Sequence, residues 1–530
     1  MSTNPTHNPL WAELNIQAQA IEKTPINDLF SQDKTRFDSM SLQLGDLFFD
    51  YSKHHITSDI LNNLTRLAHE QGVEQARQDM FDGKTINSTE GRSVLHTALR
   101  RPASDHVLVN DENIMPLIHQ TLERIKTLAE RIKNRDYLGT TGKPIDTIIS
   151  IGIGGSDLGP RMVYQALSNK ESDIIAPCHF VSNIDGDDIT NVINKCNPET
   201  TLIIVISKTF TTQETLTNAK IAKSWLKDKL SKHDNVMERH FMAVSANQEN
   251  VAQFGIVKDN FFPMWEWVNG RFSLWSAVGL PLALSLGYKA FEALLSGAYE
   301  VDQHFQNASL DKNIPVLMAI LGIWNRNFMG TSHHAILPYA QRLEYFPAYL
   351  QQLEMESNGK DIDLDQNPIT DYKTGAVLFG EVGTNGQHSF YQLLHQGSDI
   401  IPCDFIAAIK PDNDLDNSHN LLLSHMLAQG QAMMQGRQDN NAHEPYRFFH
   451  GNRPSSTLLM QELNAHTLGM LIALYEHKTF TQGIIWNINS FDQYGVELGK
   501  ELSSKLSNND LSNVDNSTKG LFSIIHKGLK

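Results

Sequence analysis

Asp146-Thr-Ile-Ile-Ser-Ile-Gly-Ile-Gly-Gly-Ser-Asp-Leu-Gly-Pro160 begins as a run of apolar, mostly β-branched residues and then breaks into glycine. The run, Asp146 to Ile153, reads as a buried parallel strand, and the glycines as a strand-to-helix turn. Similar short runs recur at His179 to Ser182, Thr201 to Ser207 and His240 to Val244, with helical segments between them. Alternation of this kind predicts an α/β sheet with helices on both faces. The pattern returns after a helical stretch from Tyr288 to Phe328, with candidate strands at His334 to Tyr339, Gly375 to Gly380, Ile400 to Ala408 and Ser456 to Met460. Two tandem, doubly wound α/β units are therefore expected.

Residues 1 to about 110 read as helical. Ile60, Leu61, Leu64 and Leu67 share one face behind a Thr57-Ser58 start signal. A second amphipathic helix carries Leu117, Ile118, Leu122, Ile125, Leu128 and Ile132. The expected organisation is a helical N-terminal region over 1–110 packing on the second domain, a first α/β domain over 111–287, and a second over 288–506. A polar linker and a short C-terminal arm complete it over 507–530.

A chain of 530 residues with 40% hydrophobic content can bury more than one core. Sixty acidic against 44 basic residues give a formal charge of −16, which argues against attraction to nucleic acid or to an anionic membrane. Any phosphate must be gripped locally. Cys178, Cys196 and Cys403 are scattered and lack C-x-x-C spacing, so neither a disulfide framework nor a zinc site is expected, and a reducing cytoplasm fits. The N-terminus lacks the basic start and apolar core of a secretory signal. The longest apolar stretches, Ile314 to Trp324 and Ala277 to Leu286, fall short of the roughly 20 residues a spanning helix needs.

The glycines after Ile151 fit neither nucleotide fingerprint. A G-x-G-x-x-G motif from Gly152 would need glycine where Asp157 stands, and a P-loop from Gly154 would need lysine where Pro160 stands. What remains is a tight turn with one hydroxyl, Ser156, where a small polar ligand can approach the backbone. The strand Leu202 to Ile206 runs into Ser207-Lys-Thr-Phe-Thr-Thr-Gln-Glu214 at the expected start of a helix. Hydroxyls there add side-chain donors to free backbone N–H groups at the positive end of a helix dipole, a phosphate cup that needs no global basicity. A capping box, Thr211-x-x-Glu214, accounts for one hydroxyl but not for Ser207, Thr209 and Thr212 beside Lys208.

Acid–base groups come from four other segments. Gln352-Leu-Glu-Met-Glu-Ser-Asn-Gly-Lys360 sets Glu356 just before a glycine that ends a helix. Trp267-Val-Asn-Gly-Arg-Phe-Ser273 presents Arg271, permanently charged, among aromatics. His388 follows a glycine-containing turn and precedes a helix, a candidate acid–base side chain. Phe491 to Lys500 places Gln493 at a helix start and Lys500 about two turns later. The pairs His54-His55 and His333-His334 lack ligand spacing, so no metal is expected.

Taken in order, these segments closely resemble the glucose-6-phosphate isomerase family: G-I-G-G-S-D-L-G-P at 152–160, S-K-T-F-T-T-Q-E-T at 207–215, G-R-F-S-L-W-S at 270–276, M-E-S-N-G-K at 355–360, G-T-N-G-Q-H at 383–388 and F-D-Q-Y-G-V-E-L-G-K at 491–500. Asn269 departs from the family's usual glycine before the Gly-Arg pair and leaves Arg271 in place. The resemblance implies two sugar-isomerase domains, a homodimer, no cofactor, and a cytoplasmic enzyme of glycolysis and gluconeogenesis that interconverts glucose 6-phosphate and fructose 6-phosphate. By that resemblance Gly155, Ser156, Ser207, Lys208, Thr209 and Thr212 hold the phosphate, and Gln352 and Gln493 contact the sugar. Glu356 is the base, Arg271 stabilises developing charge, and Lys500 opens the ring with a His388 supplied by the partner subunit. A non-catalytic sugar-phosphate sensor is the alternative; it has no use for Glu356, Arg271, His388 and Lys500 together.

Overall fold

The computed structural model describes residues 3–168, 174–413, 415–437 and 444–529. The chain forms two compact units, Met1–Ser490 and Phe491–Lys530. Both sheets lie in the first. The second unit begins at Phe491, before the expected linker at 507, and holds both helix Glu497–Ser507 and helix Asn516–Lys527.

The strands, in chain order, are β1 (Ser41–Leu44), β2 (Leu47–Lys53), β3 (Leu108–Val109), β4 (Glu112–Asn113), β5 (Thr147–Ile151), β6 (Cys178–Val181), β7 (Thr201–Ile206), β8 (Phe241–Ser245), β9 (Phe261–Pro263), β10 (His333–Tyr339), β11 (Val377–Gly380), β12 (Cys403–Ala408) and β13 (Ser455–Met460). β3 and β4 form a small ribbon. The first large sheet has the order β6-β5-β7-β8-β9 and is parallel throughout. Every residue of β7, Thr-Leu-Ile-Ile-Val-Ile, is buried, as a strand covered by helices on both faces requires.

The second sheet has the order β1-β2-β13-β12-β10-β11, with β10 to β13 parallel. Its other edge is a surprise from the N-terminal region. Residues 41–53, expected to be helical, form an antiparallel hairpin whose β2 pairs with β13. The physical cause is local: Leu47, Phe49 and Tyr51 alternate into the core, and Gly45, at φ 50°, turns the chain tightly between the strands.

Helix Ala465–Ile485 is buried over almost its whole length and carries Glu476, His477 and Lys478 into the interior. Asn464 starts it with a capping box closed by Thr467. It meets helix Tyr288–Asn307 backbone to backbone. A Cβ on Gly297 would stand 1.8 Å from the carbonyl oxygen of His466, and one on Gly469 would stand 2.1 Å from that of Leu294. Among the described residues no helix is long and apolar enough to cross a membrane.

Candidate active site

In the first sheet the chain steps from β5 to β6 on one side and then crosses to β7 on the other. The crevice outside the carboxyl ends of β5 and β7 is a topological switch point, where open α/β sheets bind ligands. The two segments singled out in the sequence end these two strands. After β5, Gly154 takes φ 60°, and Gly154–Ser156 forms a single 3-10 turn. Gly155 lies against the arginine loop so closely that a Cβ would stand 2.0 Å from the carbonyl oxygen of Gly270. The amide nitrogen of Gln352 sits beside the same turn, 3.1 Å from where a Cβ on Gly154 would be.

After β7, the loop is held from inside. Ser207 is buried; its Oγ accepts from the backbone N–H of Phe210 (3.1 Å) and lies 3.2 Å from Thr212 Oγ1. Phe210, buried at φ 54°, anchors the turn. Thr209 and Thr211 are exposed and joined through their hydroxyls at 2.7 Å. Helix Gln213–Lys229 starts at Thr212 without a side-chain cap, so the capping box Thr211-x-x-Glu214 does not form. The hydroxyls and the first-turn N–H groups can therefore serve an anion.

Lys208 is placed differently from its neighbours. Its Nζ donates to the backbone oxygens of Glu266 and Val268, both at 3.1 Å, and lies 3.6 Å from the Glu266 carboxylate, which Arg92 also holds at 2.8 Å. Burial lowers its pKa, against the pull of Glu266. The lysine thus ties the hydroxyl loop to the loop that leads to Arg271.

Arg271 is buried in the 3-10 segment Gly270–Trp275. Nε donates to Ser357 Oγ (2.6 Å), Nη2 donates to the backbone oxygen of Ser490 (2.6 Å), and Nη1 stands 3.5 Å from Glu356 Oε2. Glu356 ends a π-helical stretch, Gln351–Glu356, a geometry often found at functional sites. Its side chain is 22% exposed, so solvent reaches the carboxylate while the arginine lies behind it.

Gly155, Ser156, Gln352, Arg271 and Glu356 thus come together, and Lys208 joins the Ser207–Thr212 loop to them. His388 is exposed at the end of the turn Asn385–His388 after β11, with no hydrogen bond to Glu356. Gln493 and Lys500 belong to the second unit, Gln493 capping the turn Tyr494–Val496 and Lys500 in the first turn of helix Glu497–Ser507. Ser357 and Lys360 carry contacts to the site that no spacing rule assigned, although both stand inside M-E-S-N-G-K. Among the described residues no three His, Cys, Asp or Glu side chains gather to hold a metal ion.

The family model for phosphoglucose isomerase matches residues 50–522. The glucose-6-phosphate isomerase of Methylococcus capsulatus is 48% identical over 517 residues, covering 94% of each chain. Glucose-6-phosphate isomerase 1 of Chromohalobacter salexigens is 48% identical over 525 residues, covering 98% of this chain and 95% of its own. Among solved structures, a glucose-6-phosphate isomerase from Chlamydia trachomatis superimposes with a TM-score of 0.87 at 32% identity, covering 99% of both chains.

Proposed function

The chain belongs to the phosphoglucose isomerase family, and on that premise we propose that it interconverts D-glucose 6-phosphate and D-fructose 6-phosphate with Glu356 as the proton carrier. The observation that carries this reading is the Arg271–Glu356 contact beside the Gly154–Ser156 turn. An aldehyde at C1 acidifies the C2 hydrogen of the open-chain sugar. Glu356 removes that proton, a cis-enediol(ate) forms, and the same carboxylic acid returns the proton to C1. One base on one face suffices. Arg271, desolvated and held by Ser357 and Ser490, sets its positive charge where negative charge develops on the substrate oxygens.

The phosphate lies with the hydroxyls of Ser207, Thr209 and Thr212 and the turn at Gly155 and Ser156, and its binding energy orients carbons it does not touch. Lys208 supports that grip through the loop it tethers as well as by its charge. Gln352 and Gln493 contact the sugar. Ring opening needs an acid at the ring oxygen and a base at the anomeric hydroxyl, and Lys500 and His388 take these roles. His388 is supplied by the partner in a homodimer, which fits its exposure in the single chain. A cytoplasmic place in glycolysis and gluconeogenesis accords with this activity.

The test is an assay for glucose 6-phosphate formed from fructose 6-phosphate, with Glu356→Gln as control. The wild type should turn over. The variant should lose activity by at least about a thousandfold while still binding the sugar phosphate. Turnover by Glu356→Gln at the wild-type rate would remove Glu356 from the mechanism.

A further inference from the structure

Just past Glu356 the helix continues through Ser357 and Asn358 and ends before Gly359 and Lys360, a segment with no reactive role in the proposed chemistry. Its side chains nevertheless hold both members of the Arg271–Glu356 pair. Ser357 is fully buried, and its Oγ accepts the Nε–H of Arg271 at 2.6 Å. That bond fixes rotation of the guanidinium about its long axis. On the same edge Nη2 donates to the Ser490 carbonyl oxygen, and Nη1, on the other, stands 3.5 Å from Glu356 Oε2.

Ser490 is itself held in place. Its Oγ donates to Asn358 Oδ1 (2.7 Å), while Asn358 Nδ2 donates to the Thr479 carbonyl oxygen (3.0 Å) in the buried helix Ala465–Ile485. Packing is tight: a Cβ on Gly483 would stand 1.9 Å from Ser490 Oγ. Lys360 closes the arrangement. Its Nζ donates to the carbonyl oxygens of Ser357 (3.0 Å), Asn489 (3.0 Å) and, more distantly, Glu356 (3.4 Å). The first and last are carbonyls at the end of the helix carrying the carboxylate, where backbone acceptors lack intrahelical partners and a cation is favoured. The Asn489 carbonyl precedes the residue that receives Arg271. One ammonium therefore bridges the main chain under Glu356 to the main chain that aims Arg271.

We propose that Ser357 and Lys360 are positioning residues for the proton-transfer step, Ser357 setting the plane of the Arg271 guanidinium and Lys360 fixing the end of the Glu356 helix relative to Ser490. The inference rests on the isomerase reading. Neither residue touches the reacting carbons, and the phosphate loops after β5 and β7 are built from other segments. Loss of either should therefore act on kcat rather than on KM.

Lys360→Met keeps the stem and removes the donors; Ser357→Ala removes the acceptor. For each we expect kcat with fructose 6-phosphate to fall about 30-fold or more and KM to change by less than about threefold. Lys360→Arg, which restores a cation and several donors, should recover most of the loss. The double variant should lose clearly less than the product of the single losses, because both act through one pair. A kcat within threefold of wild type for both variants overturns the proposal. So does a matched loss in kcat and affinity that Lys360→Arg does not relieve, because general loosening of the fold moves both. Should Lys360→Met fail to fold, Ser357→Ala decides alone. An inactive wild type would instead sink the isomerase reading, so the two failures are told apart by the unmodified protein.

Discussion

Arg271 Nη1 stands 3.5 Å from Glu356 Oε2, and the arginine's other edge is spent on Ser357 and Ser490. A lysine at 271 has one ammonium and cannot make these three contacts together. Arg271→Lys should lower kcat by about 100-fold or more with a folded protein by circular dichroism, as expected when a preorganised charge is lost. A loss of less than fivefold would show that a point charge suffices.

Gly155 has no room for a side chain, because its Cβ would stand 2.0 Å from the Gly270 carbonyl oxygen and 2.8 Å from the Arg271 nitrogen. Gly155→Ala must separate the turn from the arginine loop, and kcat/KM should fall about 100-fold. Gly186→Ala, where a Cβ meets nothing within 4 Å, is the matched control and should be near wild type.

The hydroxyl loop predicts a different signature. Ser207→Ala combined with Thr212→Val leaves the uncapped helix start and Thr209 but removes the two hydroxyls nearest the helix. KM for fructose 6-phosphate should rise about tenfold or more, and competitive inhibition by inorganic phosphate should weaken in proportion. An unchanged inhibition constant for phosphate would place the anion elsewhere.

If His388 serves the partner's site, two dead variants can cure each other. Glu356→Gln and His388→Ala should each be nearly inactive, yet unfolding and refolding them together should restore about a quarter of wild-type activity, through mixed dimers with one intact site. No recovery from a refolding procedure that restores wild-type activity would assign His388 to its own chain's site or to none.

Stability should carry a pH dependence set by the buried helix. Arg100 gives two N–H groups to Asp302, both at 2.6 Å, and one to Glu476 at 2.8 Å. Burial alone would raise both carboxyls. Arg100 overcomes it for Asp302, which is held down to about 2, but not for Glu476, which burial pushes up to about 7. The folded chain therefore keeps a proton on Glu476 that the unfolded chain releases above its ordinary value of 4.5. The stability this group confers is complete below that value and is lost as pH rises through about 7. Glu476→Gln, whatever its absolute stability, should show a flatter decline of Tm between pH 5 and 8 than the wild type. An identical slope would remove Glu476 as the source.

The sheets were legible because parallel strands announce themselves as unbroken apolar runs: β7 and β12 are buried at every position. The hairpin of β1 and β2 was not read, because its aromatic alternation around Gly45-Asp46 lies among helices and its partner strand is distant in sequence. Individual site residues were legible as types at motif positions, but their division of labour was not. Nothing in the order of residues says that Lys208 turns to the carbonyls of Glu266 and Val268, or that Ser357 receives Arg271. Those bonds depend on which loops the two sheets bring side by side.

The edge of the second sheet also sets a timetable for synthesis. His54, just after β2, bonds Ser456 in β13, 402 positions later. At about 5–20 residues per second, the ribosome needs roughly 20–80 s to supply that partner after the hairpin has emerged. For all that time β2 presents unpaired backbone donors and acceptors to the cell, an edge open to any passing strand. Nascent chains of this protein should thus depend on ribosome-associated chaperones until Met460 is made, and truncations that stop short of β13 should aggregate rather than fold as a smaller protein.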